Sequence, residues 1–202
     1  GYYHSLAIDE AGNLWACGYN GSGQLGNGTT ASKGTPIQIK SGTKFKTVAG
    51  GDAHSLAIDE LGNLWAWGWN KYGQVGDGTT TSKSIPVQIK SGTKFKCVTG
   101  TNHSLAIDES GNLWAWGNNG NGQIGDGTKT TKSSPVQIKT GTMFKAVSAG
   151  YWHSLAIDES GNLWGSGYNE VGQLGDGSTT DKWAMVQIKA GTKFKAISAG
   201  YA

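Results

Sequence analysis

The chain has 202 residues, 34 of them Gly and 9 Trp, with 17 basic side chains that are all Lys, 14 acidic ones and a formal charge of +3. Proteins that grip phosphates or read guanine usually exploit the guanidinium fork, so the complete lack of Arg argues against specific nucleic-acid recognition. With only 3 Pro, and apolar runs far shorter than the roughly 18 residues of a membrane span, composition excludes collagen-like, disordered and membrane-spanning helical classes and points to a loop-rich β protein.

The first element, His4-Ser5-Leu6-Ala7-Ile8, returns at His54, His103 and His153, so the starts lie 50, 49 and 50 residues apart. A period of this size marks an array in which one repeat is one supersecondary unit. The units run over about 4–53, 54–102, 103–152 and 153–202 of a single repeat domain, 1–202, and are offset from the structural blades. Within a unit the alternation has period two. Phe95-Lys96-Cys97-Val98-Thr99 and Ser104-Leu105-Ala106-Ile107 read as half-buried strands. The turn Asp108-Glu109-Ser110-Gly111-Asn112 closes a hairpin onto Leu113-Trp114-Ala115-Trp116.

A long Gly-rich loop follows, Gly117 to Thr128 in the third unit, with a core Gly-Gln-(Leu/Val/Ile)-Gly-(Asp/Asn)-Gly at Gly23, Gly73, Gly122 and Gly172. Repetition of its Gln and apolar residue predicts an ordered tongue tucked between neighbouring units. A third strand, Val136-Gln137-Ile138, is expected to begin just after Pro135, where a missing amide hydrogen is tolerated. The turn Lys139-Thr140-Gly141-Thr142 then leads into Phe144-Lys145-Ala146-Val147. Each unit thus supplies four short strands. The fold class is all-β, a propeller of four-stranded antiparallel blades with four blade-equivalents per chain. The chain starts on the His strand and ends on Phe194 to Ala202, the segment that precedes that strand in every earlier unit. Each end therefore holds what the other lacks, and three arrangements stay open: a fragment of a longer propeller, a ring closed within the chain, or half of an eight-bladed ring closed by homodimerisation.

The combination of Trp-Ala-Trp-Gly, Asn-x-x-Gly-Gln-(Leu/Val/Ile)-Gly-(Asp/Asn)-Gly and Ala-Gly-x-x-His-Ser-Leu-Ala resembles the regulator of chromosome condensation repeat family. The resemblance covers all four units and implies a β-propeller, typically of seven blades. Its activities span nucleotide exchange on a small GTPase, β-lactamase inhibition and ultraviolet sensing, so it selects none of them. The photoreceptor element Gly-Trp-Arg-His-Thr is approached by Gly150-Tyr151-Trp152-His153-Ser154, which lacks the Arg.

His4, His54, His103 and His153 would form a metal ring if they met at the axis; the plainer reading, local satisfaction of backbone groups, is adopted, and no metal or cofactor is expected. The pairs Asp9-Glu10, Asp59-Glu60, Asp108-Glu109 and Asp158-Glu159 occupy equivalent turns, and catalytic carboxylates need contrasting environments, so they read as solvated turns. Lysines gather at the other turn (Lys40, Lys44 and Lys46; Lys90, Lys94 and Lys96; Lys139 and Lys145; Lys189, Lys193 and Lys195); acidic and basic turns on different rims would give the ring a charge dipole. Cys17 and Cys97, at non-equivalent positions, are read as two buried free thiols. Binding is assigned to the aromatic residues that vary between units: Trp69, Tyr72, Tyr19, Tyr168, Trp152 and Trp183. The chain reads as a non-enzymatic scaffold that binds a protein partner or itself. A carbohydrate-binding propeller and a consensus-like array whose property is assembly are the alternatives. No signal peptide opens the sequence, and the compartment stays open, a bacterial secreted or cell-surface setting included.

Overall fold

Alternation of large and small side chains gives each strand two different faces, and the computed structural model shows how the units use both. It describes residues 1–200; Tyr201 and Ala202, the end of the segment expected to complete the first blade, lie outside the described residues. The first sheet holds β1 (His4–Ile8), β2 (Leu14–Gly18) and β3 (Lys33–Ile39). The second holds β4 (Phe45–Gly50), β5 (His54–Asp59), β6 (Leu64–Gly68) and β7 (Lys83–Ile89). The third is β8 (Phe95–Gly100), β9 (His103–Asp108), β10 (Leu113–Gly117) and β11 (Lys132–Ile138), and the fourth β12 (Phe144–Ala149), β13 (His153–Asp158), β14 (Leu163–Gly167) and β15 (Lys182–Ile188). All pairings are antiparallel and sequential, the order of a propeller blade.

In the second sheet Leu56 pairs with Ala66 and Ile58 with Leu64, while Ser55 pairs with Trp67 and Ala57 with Trp65. One face is therefore thick and aliphatic, the other thin apart from the indole. The thick face packs on the thin face of the next sheet: Leu56, Ile58, Leu64, Val75 and Phe95 form one core with Ala106 and Trp116. Two further cores repeat this between the first and second sheets and between the third and fourth. Strands β5 and β9 are consequently buried on both faces, not half-buried. Among the described residues four sheets make three junctions, and β1 pairs only with β2, so the arc they form is not closed.

The tongue lies between units. Leu25 of the first unit is buried against Ala57 and Trp67 of the second sheet, and the Gly28 amide donates to the Ser84 carbonyl at 2.8 Å. Gly23 must be glycine: its φ is +80°, and a Cβ there would sit 2.6 Å from the Ser84 Cα. Asn20 holds the loop in shape, its side-chain amide donating to the carbonyls of Thr29 and Ala31 and its oxygen accepting the Leu25 amide.

Two expectations change. Pro36, Pro86 and Pro135 lie inside β3, β7 and β11 rather than ahead of them. These are outer edge strands, and each Pro falls where the register shifts, so no ladder bond is lost. Cys17 and Cys97 are free but only half-buried.

Candidate functional site

Every blade has two rims. The β5–β6 and β7–β8 turns lie on one; on the other lie the β4–β5 corner and the long tongue that leaves β6. Acidic and lysine turns therefore share a rim, which corrects the expected charge dipole. They are bonded to each other: the Phe45 amide donates to the Gly12 carbonyl at 2.9 Å, and Lys44 Nζ donates to Asn13 Oδ1 at 2.7 Å.

Nor are the acidic turns simply solvated. Asp59, Asp108 and Asp158 are buried. The Asp108 carboxylate accepts the Asn112 amide, Asn112 Nδ2 and Trp114 Nε1, all at 2.9 Å. Burial pushes its carboxyl up, but the bonds from Trp114 and Asn112 outweigh that and hold it below the usual carboxylate range. The pinned indole then carries Lys90 Nζ at 3.9 Å from its ring centre, as Trp65 carries Lys40 and Trp164 carries Lys139. Each Lys belongs to the unit before its Trp. Asp108→Ala is expected to cost about 2–4 kcal/mol in urea unfolding, because three donors lose their acceptor. A cost under about 0.5 kcal/mol would mean that water replaces the carboxylate freely.

The histidines do not meet at an axis. His4, His54 and His103 each place Nε2 at 2.7–2.9 Å from the Oγ of Ser55, Ser104 and Ser154 in the next unit. Those hydroxyls donate to the carbonyls of Gln24, Gln74 and Gln123 at 2.6–2.8 Å. A hydroxyl has one proton to give and spends it on the carbonyl, so it accepts from Nε2–H. Burial drives His54 and His103 down to about 3 and His4 to about 4. The chain His to Ser to Gln carbonyl links units instead of satisfying local backbone, and among the described residues no cluster could hold a metal.

The other rim carries what differs between the units. Ahead of each His strand comes a corner whose residues vary: Tyr2-Tyr3, Asp52-Ala53, Thr101-Asn102 and Tyr151-Trp152. Each is tied to the residue that follows the β6-type strand: the amides of Tyr19, Trp69, Asn118 and Tyr168 donate to the carbonyls of Tyr3, Ala53, Asn102 and Trp152. Hence Tyr3 meets Tyr19 edge-on at 6.4 Å, Trp152 meets Tyr168 at 5.5 Å and Trp69 meets Tyr72 at 5.4 Å between ring centres. Of the six aromatics singled out in the sequence, five lie on this rim. Trp183 does not. It sits on β15, the outer edge of the fourth sheet, with Lys129 Nζ 4.9 Å from its ring centre.

The inner end of this rim was not anticipated. Tyr2, Asp52, Thr101 and Tyr151 line a cleft of about 270 Å³. Its floor is backbone: the Tyr2 amide donates to the Asp52 carbonyl at 3.2 Å and the Asp52 amide to the Thr101 carbonyl at 3.0 Å. Burial raises the Asp52 carboxyl above its ordinary range, against a smaller opposing effect of a hydrogen bond from Tyr151. These are the positions directly after the recurrent glycine, and they hold Tyr, Asp, Thr and Tyr in the four units, a variation that only their placement side by side makes meaningful.

A family model described as an RCC1-like domain matches residues 1–202. Over 56 residues, 26% of this chain and 5% of the relative, the sequence is 48% identical to the human probable E3 ubiquitin-protein ligase HERC4. Human WBSCR16 superposes on the whole chain with a TM-score of 0.86 at 23% identity, and Prp20p from Saccharomyces cerevisiae with a TM-score of 0.83 at 23% identity. The chain covers 54% and 52% of those two proteins, so it spans about half the length of these solved relatives. At such identity the likeness is one of fold.

Proposed function

Because this chain belongs to the RCC1-like domain family, we propose that it is a non-enzymatic propeller scaffold whose loop rim binds a protein partner. The observation that carries the reading is the division of labour between rims. One rim spends its Asp, Asn and Trp on bonds that recur in every unit, with Lys joining them in three. The other collects Tyr3, Tyr19, Trp69, Tyr72, Trp152 and Tyr168 at positions that differ from unit to unit. Such rings offer rigid contact area at low entropic cost. Asp52 adds a partly desolvated carboxylate between Tyr2 and Tyr151, a setting that suits a Lys or Arg side chain of the partner. A relative with the same fold lends support: yeast RCC1 (Prp20) has been solved with Kap60 bound, and its structure was described with its binding to Gsp1p and histones.

The test is selection of displayed peptides on the immobilised chain, followed by affinity measurement on variants. Trp69→Ala and Trp152→Ala are each expected to weaken the selected peptides by about 10-fold or more, and Trp183→Ala to leave them unchanged. Equal binding to all three variants would remove the loop rim from the reading. Sugar-inhibitable binding on a glycan array, lost in the same two variants, would replace the protein partner by a carbohydrate.

A further inference from the structure

Four positions break the repeat at the junction of the third and fourth units. Trp183 stands where the earlier units carry Gly34, Ser84 and Ser133, and Lys129 where the others carry Thr30, Thr80 and Thr179. Asp181 replaces Ser32, Ser82 and Thr131, and Glu170 is the acid at a position held by Gly21, Lys71 and Gly120 elsewhere. They lie on different pieces of chain: Lys129 on the loop into β11, Glu170 at the start of the fourth tongue, Asp181 on the loop into β15, and Trp183 on β15 itself. The fold brings them into one cleft of about 310 Å³, completed by Thr179 and Thr180. The two sheets that frame it are joined by a full core. In the second and third units, each followed by a further unit, the matching Lys71, Thr80, Thr81, Gly120 and Thr130 are exposed as well, so the cleft opens on solvent by its place in the repeat.

The side chains are held ready. The Gly127 amide donates to the Trp183 carbonyl at 2.8 Å, and a Cβ on Gly122 would sit 2.6 Å from the Trp183 Cα, so the backbone beneath the indole is fixed. The indole is nevertheless 48% exposed, a large apolar area at a position that is otherwise Gly or Ser. Asp181 Oδ1 accepts the Asn169 amide at 2.8 Å and Glu170 Oε2 accepts the Tyr168 hydroxyl at 2.9 Å. Among the described residues neither Asp181 Oδ2 nor Glu170 Oε1 has a donor, and Lys129 forms no ion pair. Lys129 Nζ lies 4.9 Å from the centre of the Trp183 ring, farther than the 3.9 Å of Lys90 over Trp114.

This set of groups selects a ligand by charge. A cation would share the ring with the like charge of Lys129. An anion would meet two carboxylates. A neutral polyol satisfies every group, because a hydroxyl both donates and accepts. The geometry assigns this cleft to a neutral saccharide of one or two rings, whose hydroxyls donate to Asp181 and Glu170 and accept from Lys129 while an apolar C–H face lies against the indole of Trp183. The volume stands at the low end of the about 300–1,000 Å³ of small-ligand sites, which sets the limit on size. The site shares with the loop rim only the Tyr168 hydroxyl that orients Glu170.

A glycan array carrying neutral, sulfated and sialylated glycans, probed with the full chain, tests this, followed by titration of the best-retained neutral sugar by saturation-transfer NMR. Neutral glycans are expected to retain the chain and charged ones to fail. The decisive variants give this junction what its neighbours carry: Trp183→Ser, Asp181→Ser and Lys129→Thr. Ser32 already makes to the Asn20 amide the bond that Asp181 makes to the Asn169 amide, so the fold tolerates the exchange, as circular dichroism would verify. Trp183→Ser is expected to weaken the sugar by about 10-fold or more, and each of the other two by about 3-fold to 10-fold. Trp69→Ala and Trp152→Ala, on the rim, should leave it unchanged. Retention by no neutral glycan, preference for the charged ones, or equal affinity in Trp183→Ser overturns the proposal. Loss in Trp69→Ala and Trp152→Ala with Trp183→Ser unaffected would move the sugar to the rim and overturns it too.

Discussion

Replacing Trp116 with Ala is expected to lower the unfolding free energy by about 3–5 kcal/mol. The ring is 0% exposed, it joins the aliphatic face of the second sheet to the third, and its Nε1 donates to the Gln74 carbonyl at 2.8 Å. That carbonyl also accepts Ser104 Oγ, so the loss is one of volume more than of hydrogen bonding. The fourth sheet supplies a control. There Ser166 replaces the Trp, Met185 takes the position of Pro135, and Met185 is 7% exposed beside Ser166 and Gly125. A flexible thioether fills the space the indole would take. Trp116→Ser with Pro135→Met should therefore recover about half of the loss seen in Trp116→Ser alone, measured as a coupling energy by urea unfolding. A loss below about 1 kcal/mol in Trp116→Ala, or zero coupling in the pair, would mean that the indoles do not hold the junctions.

The second large effect is an acid transition set by histidine. His54 and His103 stay neutral down to about 3 when folded and His4 to about 4, against 6.5 in the unfolded chain. Between those values the unfolded state binds protons that the folded state refuses. Stability is thus complete above pH 6.5 and falls by about 1.4 kcal/mol per pH unit for each such His as the pH drops below it. The turn carboxylates Asp59, Asp108 and Asp158, also lowered on folding, act in the same direction but only below the ordinary carboxylate range. Urea midpoints from pH 7.5 to 4.5 therefore read the histidines, His153 included, together with the Gly1 amine, which burial lowers from 8.0 and which acts in the same direction, while the raised Asp52 carboxyl opposes them at the acid end. His103→Gln should flatten the slope by one proton; an equal slope in the variant, or no slope in the parent, would show that the imidazoles ionise freely in the fold.

Much of this architecture was legible from residue order. Period-two alternation gave the strands, the recurrence of Gly-Gln-(Leu/Val/Ile)-Gly placed the tongue between units, and the motif combination led to the family whose model covers the chain. What could not be read were relations between units, because a linear sequence shows what recurs and not what touches. The His–Ser motif looked local, but its partner lies 50 or 51 residues on. The acidic and basic turns looked like opposite poles, because an antiparallel hairpin reverses the chain and brings both to one rim. Of the rim residues, Trp69 and Trp152 stood out by size, while Asp52 and Thr101 did not, since a small polar residue after Gly carries no signal until its corner is placed beside its neighbours.

The hydrogen-bonded chain from His through Ser to a Gln carbonyl has a further consequence, for inheritance. It runs in one direction, from each unit to its successor, and ends on a main-chain oxygen that every residue possesses. Duplicating or deleting one unit in the gene would leave each surviving seam with the same donors and acceptors in the same order. Such a coding sequence can lengthen or shorten by whole units without inventing a new contact, while the corner residues of each copy remain free to diverge toward whatever they meet.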